Sequence, residues 1–144
     1  MNFETEVRIQ RPIEDVFAYL SDPGNFPHWN SAVRAVRPTS AASTQVGAMY
    51  SMERELPSGR AANELEIVAL ERPREFTIRT TSGPTPFHYH YQLSSDNGDT
   101  IVTLDAEVKL EGAAAFAAPL ARRAVKRGVD DNLAALKQIL EARP

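Results

Sequence analysis

The chain of 144 residues contains no cysteine, so a disulfide framework, a thiolate nucleophile and cysteine metal ligands are all excluded. No apolar run approaches the roughly eighteen residues that cross a bilayer, and the first residues, MNFETEVRIQRP, lack the basic-then-apolar block of a secretory leader. A cytoplasmic protein without stable membrane insertion is expected. An excess of positive charge is also missing. Sixteen Lys and Arg face nineteen Asp and Glu, a net charge of -3, which argues against a nucleic-acid partner whose phosphates require basic surface. The sequence assigns no oligomeric state. No repeat or linker divides the chain, and its length suits one domain, 1–144, with a core that needs neither metal nor disulfide.

What is present is alternation. Phe3, Thr5, Val7 and Ile9 alternate with Glu4, Glu6, Arg8 and Gln10, the period of a strand with one buried and one wet face. Pro12 then opens a short helix carrying Glu14 and Asp15 in its first turn and directing Val16, Phe17 and Leu20 inward. PGNFPHWN has room for a further helical turn or two before the chain extends again at 32–37. Five more alternating segments follow. Ala48, Tyr50, Met52 and Leu56 share one side, as do Asn63, Leu65, Ile67 and Ala69, then Phe76, Ile78 and Thr80. Phe87, Tyr89, Tyr91 and Leu93 form the inner side of the next, and Val102, Leu104, Ala106, Val108 and Leu110 that of the last. Asn97-Gly98 between these two is a strong hairpin signal.

Residues 113–142 read as one long amphipathic helix, with Leu120, Ala124, Val125, Val129, Leu133, Leu136 and Leu140 at three- and four-residue spacing. Pro119 either kinks this helix or marks its true start. Short turns between strands favour an antiparallel meander, and only one long helix is available to cover its apolar face. The expected architecture is α+β, a curved antiparallel sheet of about seven strands wrapped around the C-terminal helix, with two short helices after the first strand.

The runs RPIEDVFAYLSDPGNFPHWN, YQLSSDNGDTIVTLDAEV and DNLAALKQILEA resemble the START-like (SRPBCC, Bet v 1-like) superfamily, and in particular its bacterial polyketide cyclase/dehydrase-like branch, over essentially the whole chain. The resemblance implies the helix-grip fold, in which the sheet grips the C-terminal helix around a hydrophobic cavity. Its members include lipid carriers, hormone receptors, coenzyme Q-binding proteins and aromatase/cyclases, so fold does not select a function.

A cavity in such a fold would be lined by Tyr50, Met52, Leu65, Ile67, Phe76, Ile78, Tyr89, Tyr91, Leu104, Phe116, Leu120 and Ala124, with Trp29 at its mouth and Gly128 where helix backbone meets sheet or ligand. The same residues could instead simply fill the core. Tyr89 and Tyr91 form a same-face pair of phenols suited to a ligand carbonyl or an enolate. His88 and His90 fall on the outer face, without a third ligand at recognisable spacing, so neither a metal nor any other cofactor is expected; a phase slipped by one residue would instead turn both into the cavity as acid/base candidates. The expected partner is a small hydrophobic ligand, lipid-, polyketide- or aromatic-like. Polyketide aromatase/cyclase or dehydratase activity, and carriage of coenzyme Q or lipid, are the alternatives.

Overall fold

The computed structural model describes residues 1–40, 44–56, 59–112, 115 and 117–144. In chain order the elements are β1 (Asn2–Ile9), α1 (Ile13–Leu20), a 3-10 turn (Pro23–Asn25), α2 (Phe26–Trp29), β2 (Val33–Pro38), β3 (Met49–Leu56), β4 (Gly59–Glu71), β5 (Glu75–Ser82), β6 (Phe87–Asp96), β7 (Asp99–Val108) and α3 (Ala118–Glu141). The seven strands form one sheet in the order β1-β7-β6-β5-β4-β3-β2, every neighbouring pair antiparallel. This is the helix-grip architecture.

The alternation places each strand's apolar side where the period of two predicts. On β7, Val102, Leu104, Ala106 and Val108 are buried, while Thr103, Asp105 and Glu107 between them are not. The β6–β7 hairpin closes through Asn97 (φ 52°) and Gly98 (φ 85°), consecutive positive angles that fit the right-handed twist of the flanking strands. The phase is interrupted in β4. Its pairing with β5 shifts between Ile67 and Ala69, leaving Val68 exposed, so that Leu70 rather than Ala69 packs on the core beyond that point. A second shift lies between Glu64 and Leu65. Such bulges bend and twist a strand, which helps the sheet curl towards the helix.

The C-terminal helix is shorter than its periodicity suggests. It begins at Ala118, and Pro119 stands in its first turn, where a missing backbone N–H leaves no hydrogen bond unmade. Its buried residues, Val129, Leu133, Leu136 and Leu140, all lie from the middle of the helix onward. Leu120 is 71% exposed. At 3.6 residues per turn it lies about 180° around the helix from Val129, so it departs from the stripe to which its spacing from Ala124 seemed to assign it.

Side chains pin α3 to β1. Thr5 donates to the Asp130 carboxylate, the backbone N–H of Gln10 donates to Glu141 at 2.8 Å, and the Lys137 ammonium donates both to Glu141 (2.8 Å) and to the Arg8 carbonyl (2.7 Å). Although partial burial pulls the other way, the hydrogen bonds from Thr5 and Lys126 hold the Asp130 carboxyl below its ordinary value. Glu141 is held low by Lys137 and by the Gln10 N–H.

Two outcomes follow from this arrangement. Leu104→Ala, at a fully buried position, destabilises the fold by about 2–5 kcal/mol, whereas Thr103→Ala on the outer face changes it by less than about 0.5 kcal/mol, both read by chemical denaturation. Equal effects would mean that the inner and outer faces of β7 are exchanged. Because Asp130 and Glu141 titrate lower when folded than when unfolded, the unfolded chain binds more protons. Their contribution is complete above the ordinary carboxylate range, about pH 4, and is lost as pH falls through the depressed folded values. Glu4, raised by its hydrogen bond with Asp105, acts in the opposite sense, so variants must be compared rather than slopes read alone. Asp130→Asn should show a shallower acid loss of stability than the wild type, and an unchanged acid limb would remove Asp130 from the account.

Candidate functional site

The inner face of the sheet is divided crosswise. Near one end of the strands Ala48, Tyr50, Ile67, Phe76, Leu93, Val102 and Leu104 are buried in a continuous core with α1 and the C-terminal half of α3. Towards the other end Met52, Arg54 and Leu56 of β3, Ile78 of β5, Phe87, Tyr89 and Tyr91 of β6, and Val108 and Leu110 line an open-mouthed cavity of about 360 Å³. Its remaining walls are α2 with the residues after it, from Phe26 to Val33, and the face of α3 that carries Ala121, Ala124, Val125 and Gly128. A depression of about 420 Å³ on the outer face holds His88, His90 and Asp105. Volume does not separate the two. Lining does, because only the inner cavity is walled mainly by apolar and aromatic side chains with a few polar groups among them.

The cavity forms because the apolar stripe of α3 changes size. From Leu133 onward it presents leucines, whereas before that it presents Ala121, Ala124, Val125, Gly128 and Val129. A Cβ built on Gly128 meets no atom within 4 Å, so this glycine faces open space rather than a close backbone contact.

Of the residues expected in the lining, Trp29, Met52, Ile78, Tyr89, Tyr91, Ala124 and Gly128 border the cavity. Tyr50, Leu65, Ile67, Phe76 and Leu104 do not, since they belong to the packed half of the same face. Leu120 faces solvent, and Phe116 lies outside the described residues. Alternation identifies a face, but not which end of that face a helix covers. Arg54 was overlooked for a related reason. It occupies the inner phase between Met52 and Leu56, a position readable from spacing, but it was not counted among the lining residues.

Aromatic rings dominate one wall. Tyr91 stacks on Phe76 with centroids 6.1 Å apart and meets both Trp29 and Tyr89 edge-on at 6.3 Å. Phe87 and Tyr89 lie 4.4 Å apart. Burial raises the pKa of Tyr89, against the opposing influence of Arg54, and raises that of Tyr91 well above its ordinary value. Both phenols therefore stay protonated at neutral pH and are hydrogen-bond donors rather than bases. The indole Nε1 of Trp29 is buried without a hydrogen-bond partner among the described residues.

Arg54 is held at the rim. Its Nη1 donates to Asn63 Oδ1 (3.0 Å) and to the carbonyls of Pro84 (3.3 Å) and Thr85 (3.1 Å), and its Cζ lies 5.3 Å from the centre of the Phe87 ring. Burial lowers its pKa from the usual arginine value, against the opposing influence of Tyr89. Asn63 continues the network by donating to the carbonyls of Ser82 (3.0 Å) and Pro84 (2.9 Å). Gly83 allows this loop to sit so close, because a Cβ there would come within 2.3 Å of the Ala62 carbonyl oxygen.

The two histidines project from the outer face, where His90 Nε2 is 3.2 Å from Glu75 and His88 Nδ1 is 3.8 Å from Glu107. Among the described residues no group of three or more histidine or carboxylate side chains is placed to hold a metal ion. Among the same residues no helix is long and apolar enough to cross a membrane.

A curved sheet, a gripped C-terminal helix and an apolar cavity between them define a START-like protein. More narrowly, the chain belongs to the family described as polyketide cyclase/dehydrase and lipid transport, whose model matches residues 1–141. No curated protein matches the sequence. Solved structures with the same fold include a START superfamily protein from Mycobacterium smegmatis, 13% identical with a TM-score of 0.79 over 97% of both chains. A ginseng major latex-like protein from Panax ginseng is 15% identical with a TM-score of 0.69, covering 99% of this chain and 95% of its own. The di-domain aromatase/cyclase StfQ of steffimycin biosynthesis is 15% identical with a TM-score of 0.76, covering 97% of this chain and 50% of its own.

Gly128→Ala supplies the missing Cβ without a clash and removes a mid-helix glycine, so it should stabilise the fold by about 1 kcal/mol in chemical denaturation. Destabilisation would show that backbone packs closely at Gly128.

Proposed function

We propose that the protein binds a small, largely hydrophobic ligand in the cavity between the sheet and the N-terminal half of α3. The observation that carries this reading is the lining itself. Half of the inner sheet face is packed, while the other half presents Met52, Ile78, Phe87, Tyr89, Tyr91 and Val108 to open space. A volume of about 360 Å³ falls within the range of small-molecule sites, roughly 300–1,000 Å³. Large apolar groups left facing a void forgo both dispersion contacts and removal from water, and a ligand restores both. The small residues of α3 are consistent with a helix selected for space rather than for packing.

A cyclase-type reaction is the reading suggested by the aromatase/cyclase relative. It draws support from the donors Arg54, Tyr89 and Tyr91, which suit a carbonyl or an enolate. Proton removal needs a base as well. The two carboxylates at the cavity are already engaged, Glu55 with Arg34 and Arg60 at 3.7 and 3.6 Å, and Glu111 with the Thr85 N–H at 2.7 Å. Binding without chemistry is therefore the reading we favour.

Native mass spectrometry of freshly purified protein should show a co-purifying apolar adduct that is absent from Gly128→Phe, in which an aromatic ring enters the cavity from α3. A wild-type spectrum without adduct, together with no calorimetric binding of any apolar compound, would remove the binding function.

A further inference from the structure

Resting on that reading, the polar groups of the cavity narrow the ligand class. Apart from hydroxyls, the amide and carboxylate side chains of the cavity each already accept a hydrogen bond or pair with a cation. Asn30 Oδ1 accepts from the Ala32 N–H at 3.0 Å, and Asn132 Oδ1 accepts from the Ser31 N–H at 3.2 Å. Glu111 accepts from the Thr85 N–H, and Glu55 pairs with Arg34 and Arg60. The donors are in the opposite condition. Among the described residues Trp29 Nε1 has no partner and every hydrogen bond of Arg54 is made by Nη1 alone, which leaves the N–H groups of Nε and Nη2 without a partner among them.

Charge points the same way. No carboxylate among the described residues lies within ion-pair distance of Arg54, although the guanidinium is partly buried and sits over the Phe87 ring. The acceptors it does have, one amide and two peptide carbonyls, are all neutral. A desolvated cation held by neutral oxygens is left without a counter-charge, and a mobile anion arriving with its own apolar body would supply one. The guanidinium fork matches two oxygens in one plane.

We propose that the cavity takes an amphiphilic acid, a compound with one carboxylate or comparable planar anion that pairs with the free edge of Arg54 while its apolar body lies against Phe87, Tyr89, Tyr91 and Met52. Trp29 then offers a second donor deeper in the cavity to a carbonyl or hydroxyl oxygen along that body. Neutral molecules of the same shape fill the same space but leave the guanidinium unpaired. The distinction therefore lies between acid and neutral forms of one skeleton.

Isothermal titration at pH 7.5 with two matched pairs, decanoate against 1-decanol and 2-naphthoate against methyl 2-naphthoate, tests this on the intact chain. At least one acid is expected to bind the wild type about tenfold or more tightly than its neutral twin, as befits a charge-assisted pair. Arg54→Gln should bring that pair to within about threefold and leave the neutral compound unchanged. Because Arg54 also holds the loop at residues 82–86, a second measurement uses the wild type alone. The side-chain Nε resonance of Arg54 should shift on adding the preferred acid and stay in place with its neutral twin. Equal affinity for acid and neutral forms, a preference that survives Arg54→Gln, or an Nε signal unmoved by bound acid would overturn the proposal while the hydrophobic cavity stands. No binding of any of the four compounds would bring down both.

Discussion

A single helix has to cover a seven-stranded sheet, and it is too narrow to do so. Seven strands span six spacings of about 4.8 Å, roughly 29 Å across, whereas a helix with its side chains is about 10 Å wide. Curvature closes part of the difference, helped by the shifts in β4. The two short helices after β1 fill another part, with Val16, Phe17, Leu20, Phe26 and Trp29 all buried against the sheet. What remains uncovered is the site.

Where that remainder lies is set by the sizes of a few side chains on α3. The helix of 24 residues, roughly 36 Å long, reaches past the packed half of the sheet. Its leucines dock one end and its alanines and glycine stand off the other. The ties to β1 through Asp130, Lys137 and Glu141 fix the rotation of the helix about its own axis, so that the small residues rather than the basic ones face inward. Stability and vacancy are thus assigned to different stretches of one element. Packing concentrates where Val129 to Leu140 meet the core, and the half that borders the cavity contributes little to it.

Most of the architecture was legible in the sequence because a period of two is hard to mistake over six segments. The inner and outer sides of β1, β3, β6 and β7 follow directly from it, including the outward direction of His88 and His90. The failures have separate causes. The bulge after Ile67 moves Leu70 to the inner side in place of Ala69, and no composition signal marks a bulge between Ile67 and Ala69. Leu120 was drawn into the stripe by one four-residue interval to Ala124, whereas the phase over nine residues to Val129 excludes it. Tyr50, Leu65, Ile67, Phe76 and Leu104 face the expected way but at the filled end, a division made by tertiary coverage and not by local pattern. Arg54 illustrates the converse, a charged residue on an apolar face, where the position in the alternation was a better guide than residue type.

The chain has one tryptophan, and it stands in the cavity wall. Trp29 is buried between Phe26 and Tyr91, both ring-edge contacts, with its Nε1 unpaired among the described residues. All indole emission from the molecule therefore originates at a single known place whose polarity depends on what the cavity holds. Its colour reports whether that nitrogen meets water, an oxygen of a bound molecule or neither, and nearby tyrosines feed excitation into it. The protein thus carries an optical reporter, free of any label, in the wall where the sheet, the short helices and the cavity meet.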